Sequence, residues 1–389
     1  MVTITSGDAR NALAVLHGFT SLKIGIDGTL AIFDEHQCVQ SDPIEVAGAN
    51  ADLTLQSRVS DYRQGYLYHL LYEKRLLFEY YCKMLSILPV EMYPFFERTR
   101  NIQRKKHQPF FNEHQKETEL ILKMLEDGCV CSRDFKGWKK VEWWGSTALS
   151  RVILERLMAC GKVLIHHREG GTKFYALAEE CIPREIFDRE PPDDEECIRK
   201  IVKIIVRASR LVSPSGAPEQ WYSVGKTQKM RELLKNLEKE GDLFSMTLEN
   251  YRGIVYAPHE DEGVWEDPPH AEEDYVRFLA PLDPLNWNRR LFKAVYEREY
   301  SWEVYKKAKD RKYGYYCLPI LFNGDYVGLI EPFYDKKKKT LEIRTFHMLA
   351  PVNQRKFRNA LENELVRFAQ NLEAESLNGC HPWLKEIAL

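Results

Sequence analysis

Gly161-Lys162-Val163-Leu164-Ile165-His166-His167-Arg168-Glu169-Gly170-Gly171-Thr172-Lys173-Phe174-Tyr175-Ala176-Leu177 decides how this chain is read. A glycine stops a helix, an apolar run follows, Gly170-Gly171 turns the chain, and an aromatic run returns, which is the pattern of a β-hairpin. Upstream, Leu120, Ile121, Met124 and Leu125 fall at helical spacing. Gly128 and the strand-like Cys129-Val130-Cys131 lead to a second helical stretch carrying Val152, Ile153, Leu157 and Met158. Two helices and a hairpin in this order make a winged helix. The order recurs with Ile198, Ile201, Val202 and Ile205, then Met230, Leu233, Leu234 and Leu237. Gly241 takes the place of Gly161, and Asp242 to Thr247 turns through Tyr251-Arg252-Gly253 into Ile254-Val255-Tyr256. Periodicity alone leaves a plain scaffold open beside a DNA-binding module.

Working outward, the acidic, proline-containing stretch Asp188 to Glu196 reads as a boundary or helix N-terminus, and Pro258 to Pro269 as a second boundary. From 275 onward short strand-like runs alternate with turns at Asn323-Gly324 and Asp335-Lys336, and Phe357, Leu361, Leu365 and Phe368 mark a closing helix. Towards the N-terminus, Ala12 to Leu16 and Thr29 to Phe33 read as helices, Asp27 as an N-cap, and Cys38-Val39-Gln40 as a short strand. Residues 61–115 read as mainly helical. The fold class expected is α+β, and the residues by themselves give two tandem winged-helix units, a truncated winged helix towards the N-terminus, a small C-terminal β-unit and a closing helix; the third full unit and the β-barrel rest on the resemblance given below. The divisions expected are 1–114, 115–190, 191–269 and 270–389.

The 389-residue chain is too long for a single core. Its hydrophobic share of 44% and charged share of 29% suit a soluble globular protein, and no apolar run approaches a membrane span. No secretory signal is visible, so the cytoplasm is expected. Nine scattered cysteines suggest reduced, mostly buried thiols. A net charge of -2 excludes a uniformly basic coat, so any DNA affinity requires charge segregated onto one face.

Cys38-Val39-Gln40-Ser41-Asp42-Pro43-Ile44 and Ser57-Arg58 resemble the bacterial AlkZ and AlkX (YcaQ) DNA glycosylases. So do Phe278-Leu279-Ala280-Pro281-Leu282-Asp283-Pro284-Leu285-Asn286-Trp287-Asn288-Arg289-Arg290, Glu303-Val304-Tyr305 and Arg311 to Pro319. The resemblance implies winged helices and a barrel around duplex DNA, with a Gln-x-Gln or Gln-x-Asp pair at the catalytic position. Here the pair is Gln40 and Asp42, as in the AlkX-like branch. It further implies excision of N7-alkylated purines and unhooking of certain interstrand crosslinks. The chain departs from the pattern at Ala49-Asn50-Ala51, where a basic residue and a histidine are expected.

N7 alkylation makes guanine a cationic, good leaving group, so the enzyme must stabilise an oxocarbenium-like sugar and position a water. A carboxylate serves both needs. Asp42 suits that role, and on a continuous strand Gln40 would share its face and orient the water. The competing reading makes Asp42-Pro43 a turn or N-cap and Gln40 a surface residue. No lysine lies in the motif, which favours monofunctional hydrolysis over a lyase route. No cofactor and no metal are expected.

The expected partner is double-stranded DNA carrying alkylated or crosslinked purines, bound by a monomer without a membrane. Its expected contacts are Arg58, Arg289, Arg290, Arg311, Lys312 and Tyr313. The basic run Arg98 to Lys106 reads as loop surface charge, and Lys336 to Lys339 as an edge-protecting turn. Trp143 and Trp144 read as core at the start of a helix. Adjacent strand residues His166 and His167 are expected to point to opposite faces and so not to share a metal. Gly225-Lys226-Thr227 lacks the upstream glycine of a phosphate loop. The alternatives are a noncatalytic winged-helix regulator and a protein-interaction scaffold.

Overall fold

The computed structural model describes residues 2–143, 145–215, 218–221, 224 and 227–381. Trp144 and Gly225-Lys226 therefore lie outside the described residues. Packing divides the chain into two units, one of Met1–Leu67 with Lys203–Leu389, the other Tyr68–Val202.

In the Tyr68–Val202 unit, helix Gln115–Glu126 leads to strand Val130–Cys131, helix Leu149–Ala159 and the hairpin Val163–Glu169/Thr172–Leu177. The short strand pairs with the returning hairpin strand, so Val130–Cys131, Thr172–Leu177 and Val163–Glu169 form a three-stranded sheet in that order. Ile121, Leu125, Ile153, Leu157, Val163, Ile165 and Tyr175 meet in one buried core. Helix Leu149–Ala159 ends as the sequence requires: Gly161 has φ +70°, its N–H donates to Met158 O, and Lys162 N–H donates to Leu157 O. That double bond is a Schellman cap, which needs a left-handed residue. A Cβ at Gly161 would stand 2.0 Å from Arg100 Cδ, so packing as well as conformation demands glycine.

The same cap recurs in the other unit. Helix Thr227–Lys239 ends with Gly241 N–H donating to Glu238 O and Asp242 N–H to Leu237 O. Helix Ser6–Leu16 ends with Gly18 N–H donating to Val15 O and Phe19 N–H to Ala14 O. After Gly241 the hairpin Leu243–Leu248/Ile254–Pro258 follows, Val212 bridges to Tyr256, and Thr3–Ile4 adds alongside Thr247–Leu248. The helix, glycine and hairpin order read at Gly161 and Gly241 is thus present at both.

Towards the C-terminus, strands Val276–Phe278, Leu318–Phe322, Asp325–Asp335, Thr340–Met348 and Ser376–Gly379 form one sheet in chain order. The first and last are its opposite edges, so it is a half-barrel where a small β-barrel was expected. Asn323 and Gly324 both have positive φ and close a two-residue hairpin loop between Phe322 and Asp325. Helix Gln354–Asn371, capped by Asn353, lays Phe357, Leu361, Leu365 and Phe368 on one face of the sheet.

Three local expectations are corrected. Residues 77–89 form a hairpin, Leu77–Tyr81 with Leu85–Pro89, within the stretch read as mainly helical. Its aromatic and β-branched residues satisfy a strand as well as a helix, and only the pairing decides. Trp143 ends strand Lys140–Trp143, which pairs with Gly145–Ala148, and is half-buried. Asp27 sits in the first turn of helix Gly25–His36, where Asp61 Oδ1 accepts the Gly25 N–H at 2.7 Å and does the capping.

Candidate active site and nucleic-acid interface

Strand Val39–Gln40 ends at Gln40, which is 6% exposed. Asp42 lies beyond it, in a turn: its Oδ1 accepts the Ile44 N–H at 3.0 Å across Pro43. Gln40 and Asp42 therefore do not share a continuous strand face, and the turn reading of Asp42-Pro43 holds as local geometry. That turn leaves Asp42 half-buried and without an ion pair among the described residues. Burial pushes its carboxyl above the ordinary aspartate range, with the Ile44 N–H working the other way.

The loop after Asp42 is held from below. Tyr316 OH donates to Ile44 O at 3.2 Å, and Tyr334 N–H to Val46 O at 2.9 Å. The buried Asn50 amide donates to Gln40 O at 2.8 Å while its Oδ1 accepts the Leu282 N–H at 2.8 Å. Asn50, flagged in the sequence only as a departure, is thus the link between the Gln40 strand and the Phe278–Arg290 stretch.

That stretch is a structural frame. Asp283 accepts both Arg58 Nη atoms at 2.8 and 3.0 Å, and both side chains are fully buried. Arg58 also donates to Thr54 O and Ser57 Oγ and lies over the Phe19 ring. Arg289 donates to Pro281 O and stacks on Tyr300. Burial lowers its guanidinium pKa. Arg58 is therefore removed from the expected DNA contacts, because a side chain with no exposure reaches no phosphate, and Arg289 is committed internally. Arginine in a basic-looking motif reads the same whether buried or exposed. Arg290, by contrast, is exposed.

Facing Asp42 is the segment 302–316. Tyr305 is 80% exposed as a whole, while partial desolvation at its hydroxyl, and then the Asp42 carboxylate, shift that hydroxyl up. Tyr316 is shifted up by the same two causes in the same order. Trp302 packs edge-on against both rings. Two buried glutamates shape the segment. Glu303 accepts the Lys312 and Tyr313 N–H groups at 2.8 and 2.9 Å and pairs with Lys306 Nζ at 2.8 Å. Burial opposes ionisation of Glu303, but these bonds outweigh it and hold its carboxyl below the usual range. Glu331, next to a bulge in its strand, accepts the Tyr315 and Tyr316 N–H groups at 2.6 and 3.0 Å. A Cβ on Gly314 would meet Glu331 Oε2 at 2.6 Å, so the clamp needs glycine there.

The backbone is thus tied by carboxylates while cations point outward. Lys307, Lys309 and Lys312 are exposed, Arg311 lies over Tyr315, and Lys312 over Tyr313. The expected residues Arg311, Lys312 and Tyr313 are brought into one segment with Tyr305, whose hydroxyl feels the Asp42 carboxylate. Sequence reasoning missed Glu303 and Glu331 as clamps. Glu303 could be noticed only through the quoted Glu303-Val304-Tyr305 match, and Glu331 only as an acidic residue isolated in an apolar run.

The family model described as DNA glycosylase AlkZ-like matches residues 34–371. The chain belongs to the AlkZ-like DNA glycosylase family. Among solved structures, the DNA glycosylase AlkZ of Streptomyces sahachiroi superposes with a TM-score of 0.63 at 13% identity. That match covers 97% of this chain and 99% of the other. At that identity the likeness speaks for the fold, while the family assignment carries the glycosylase class and DNA as substrate.

Elsewhere, the basic run read as a loop lies in helix Glu97–Glu113. Arg100 and Arg104 both pair with Glu97, and Arg98 with Asp194, so three of the five cations in the run have a local carboxylate partner. No helix among the described residues is long and apolar enough to cross a membrane.

Proposed function

We propose that this family member hydrolyses the N-glycosidic bond of N7-alkylated purines in duplex DNA, with Asp42 as the water-activating carboxylate and Gln40 orienting the water. The supporting observation is the state of Asp42: half-buried, raised in pKa, in no ion pair among the described residues, and near enough to an exposed tyrosine on a cationic segment to shift its hydroxyl. A structural carboxylate is ordinarily committed to hydrogen bonds or an arginine, as Asp283 is here. Asp42 spends one oxygen on its turn and keeps charge for a developing cation.

The reaction follows from the substrate. The alkylated base departs as a neutral purine, positive charge grows on the sugar, and Asp42 opposes it while accepting a proton from the incoming water. Tyr305 offers a face on which an unstacked base can rest. Arg290, Arg311 and Lys312 offer phosphate contacts, with Tyr313 carrying Lys312 over its ring. The helix, strand and hairpin orders at 115–177 and 194–258 read as winged helices gripping the backbone, within the four-part division given above. No lysine adjoins Asp42 in its motif, so the product is an intact abasic site, and the Gln-x-Asp pair aligns the chain with the AlkX-like branch, which extends the reading to interstrand crosslinks.

The test is incubation of end-labelled duplex carrying 7-methylguanine or a nitrogen-mustard crosslink, followed by analysis of base, strand and borohydride-trapped products. Free 7-methylguanine and unhooked strands without a trapped covalent adduct are expected. Normal duplex binding with no base released from either substrate contradicts excision and leaves the regulator reading standing.

A further inference from the structure

The adjacent histidines at 166 and 167 do not alternate. Strand Val163–Glu169 carries a bulge against its partner: Ile165 pairs with Tyr175 and His167 with Phe174, so His166 is the extra residue. A bulge re-aims the side chains at its position, which reverses the expectation that these two imidazoles point apart. Their Nδ1 atoms stand 2.8 Å apart. Cys129, exposed and just before strand Val130–Cys131, completes a cluster in which one ligand atom from each of Cys129, His166 and His167 lies within 4.8 Å of the others.

We propose that Cys129, His166 and His167 bind a divalent transition metal of the zinc class, through one thiolate and two imidazoles with a fourth position left to solvent. A thiolate with imidazoles selects zinc-like ions over magnesium or calcium. Nitrogens on a tetrahedral zinc at about 2.0–2.1 Å stand roughly 3.3 Å apart, so the rings need open by only about half an ångström. The surroundings are those of supported ligands. His167 stacks on Phe174 with ring centroids 4.5 Å apart, and its Nε2 lies 3.8 Å from the Glu169 carboxylate, within reach of a small ring movement that would let that carboxylate accept the Nε2–H of a ligating imidazole. Arg75 Nη1 donates to His166 O at 2.8 Å and fixes the bulge backbone.

The metal staples a sheet. Cys129 precedes one edge strand and the histidines sit on the other, with Thr172–Leu177 between them. A bond spanning that central strand fixes the hairpin against the helices beneath it.

The experiment is titration of tag-free, chelator-stripped full-length protein with Co(II), read by absorption. One equivalent should give a thiolate-to-cobalt charge-transfer band and tetrahedral visible bands, displaced by one equivalent of Zn(II). Cys129→Ser should abolish the charge-transfer band, and Cys380→Ser, at the other exposed cysteine, should leave it intact. His167→Asn should weaken binding by more than the roughly 10- to 100-fold that loss of an outer-shell partner costs. Zn(II) should raise the melting temperature of wild type but not of Cys129→Ser, with circular dichroism of each metal-free variant matching wild type. Absence of a thiolate band in wild type, or its persistence in Cys129→Ser, overturns the site, as does undiminished affinity in His167→Asn.

Discussion

Arg58 and Asp283 form a two-point ion pair, 2.8 and 3.0 Å, with neither side chain exposed to solvent. It joins the segment after helix Asn50–Gln56 to the Pro281–Asn286 stretch, and Asn50 makes a second tie between Gln40 and Leu282. Removing one partner strands a buried charge. Arg58→Met or Asp283→Asn is expected to cost about 3–5 kcal/mol in urea unfolding, with much of the loss recovered in the double variant. The salt dependence of DNA binding by the folded single variants should match wild type, which a phosphate contact at Arg58 would not allow.

Asp42 carries its own pH signature. Its folded-state pKa is raised by burial, so the charged form needed for catalysis is lost at a higher pH than for an ordinary aspartate. Base release should therefore fall on acidification through the raised pKa, with one proton taken up. The same shift means that ionised Asp42 opposes folding: its destabilising effect is present above the folded-state pKa and disappears below the ordinary value. Asp42→Asn keeps an oxygen for the Ile44 N–H, so its melting temperature at neutral pH should equal or exceed wild type while the excision rate falls.

The exposed cations should act on affinity rather than chemistry. Arg290→Gln and Lys312→Gln are each expected to reduce the slope of log K against log salt by about 1, with the single-turnover excision rate at saturation unchanged. Tyr305→Ala should weaken lesion binding without altering that slope, because a stacking face releases no counterions. A salt slope that moves with Tyr305→Ala and not with Lys312→Gln would reverse these assignments.

Two buried histidines set acid stability. His17 and His36 lie with ring centroids 5.4 Å apart, and both are held well below the usual histidine range, first by burial and then by Arg58 and Arg210. They stay neutral in the fold while the unfolded chain protonates them near 6.5. Stability is thus fully present above that value and falls as pH drops below it, by up to about 1.4 kcal/mol per pH unit for each site. Urea midpoints between pH 7.5 and 5 should show the fall, and His36→Leu should flatten it.

Much of the fold was legible where backbone chemistry speaks through residue type. Gly161 and Gly241 announce helix ends because a left-handed cap admits little else, and Asn323-Gly324 announces its turn for the same reason. The hairpin at Leu77–Pro89 was not legible, since its apolar aromatic run is shared by helix and strand periodicities. Nor was the bulge at His166, because one inserted residue reverses alternation without leaving a mark in composition. At the site, Asp42 could be singled out, but the burial of Arg58 and the clamping by Glu303 and Glu331 depend on contacts across hundreds of residues or within one folded loop.

The most direct test is the single-turnover rate of 7-methylguanine release from duplex by wild type and Asp42→Asn, at protein concentrations that saturate both. A fall of about 10²- to 10⁴-fold with duplex affinity and melting temperature retained is predicted, the range expected when a positioned proton acceptor is removed. An Asp42→Asn enzyme that releases the base at the wild-type rate contradicts the assignment of Asp42.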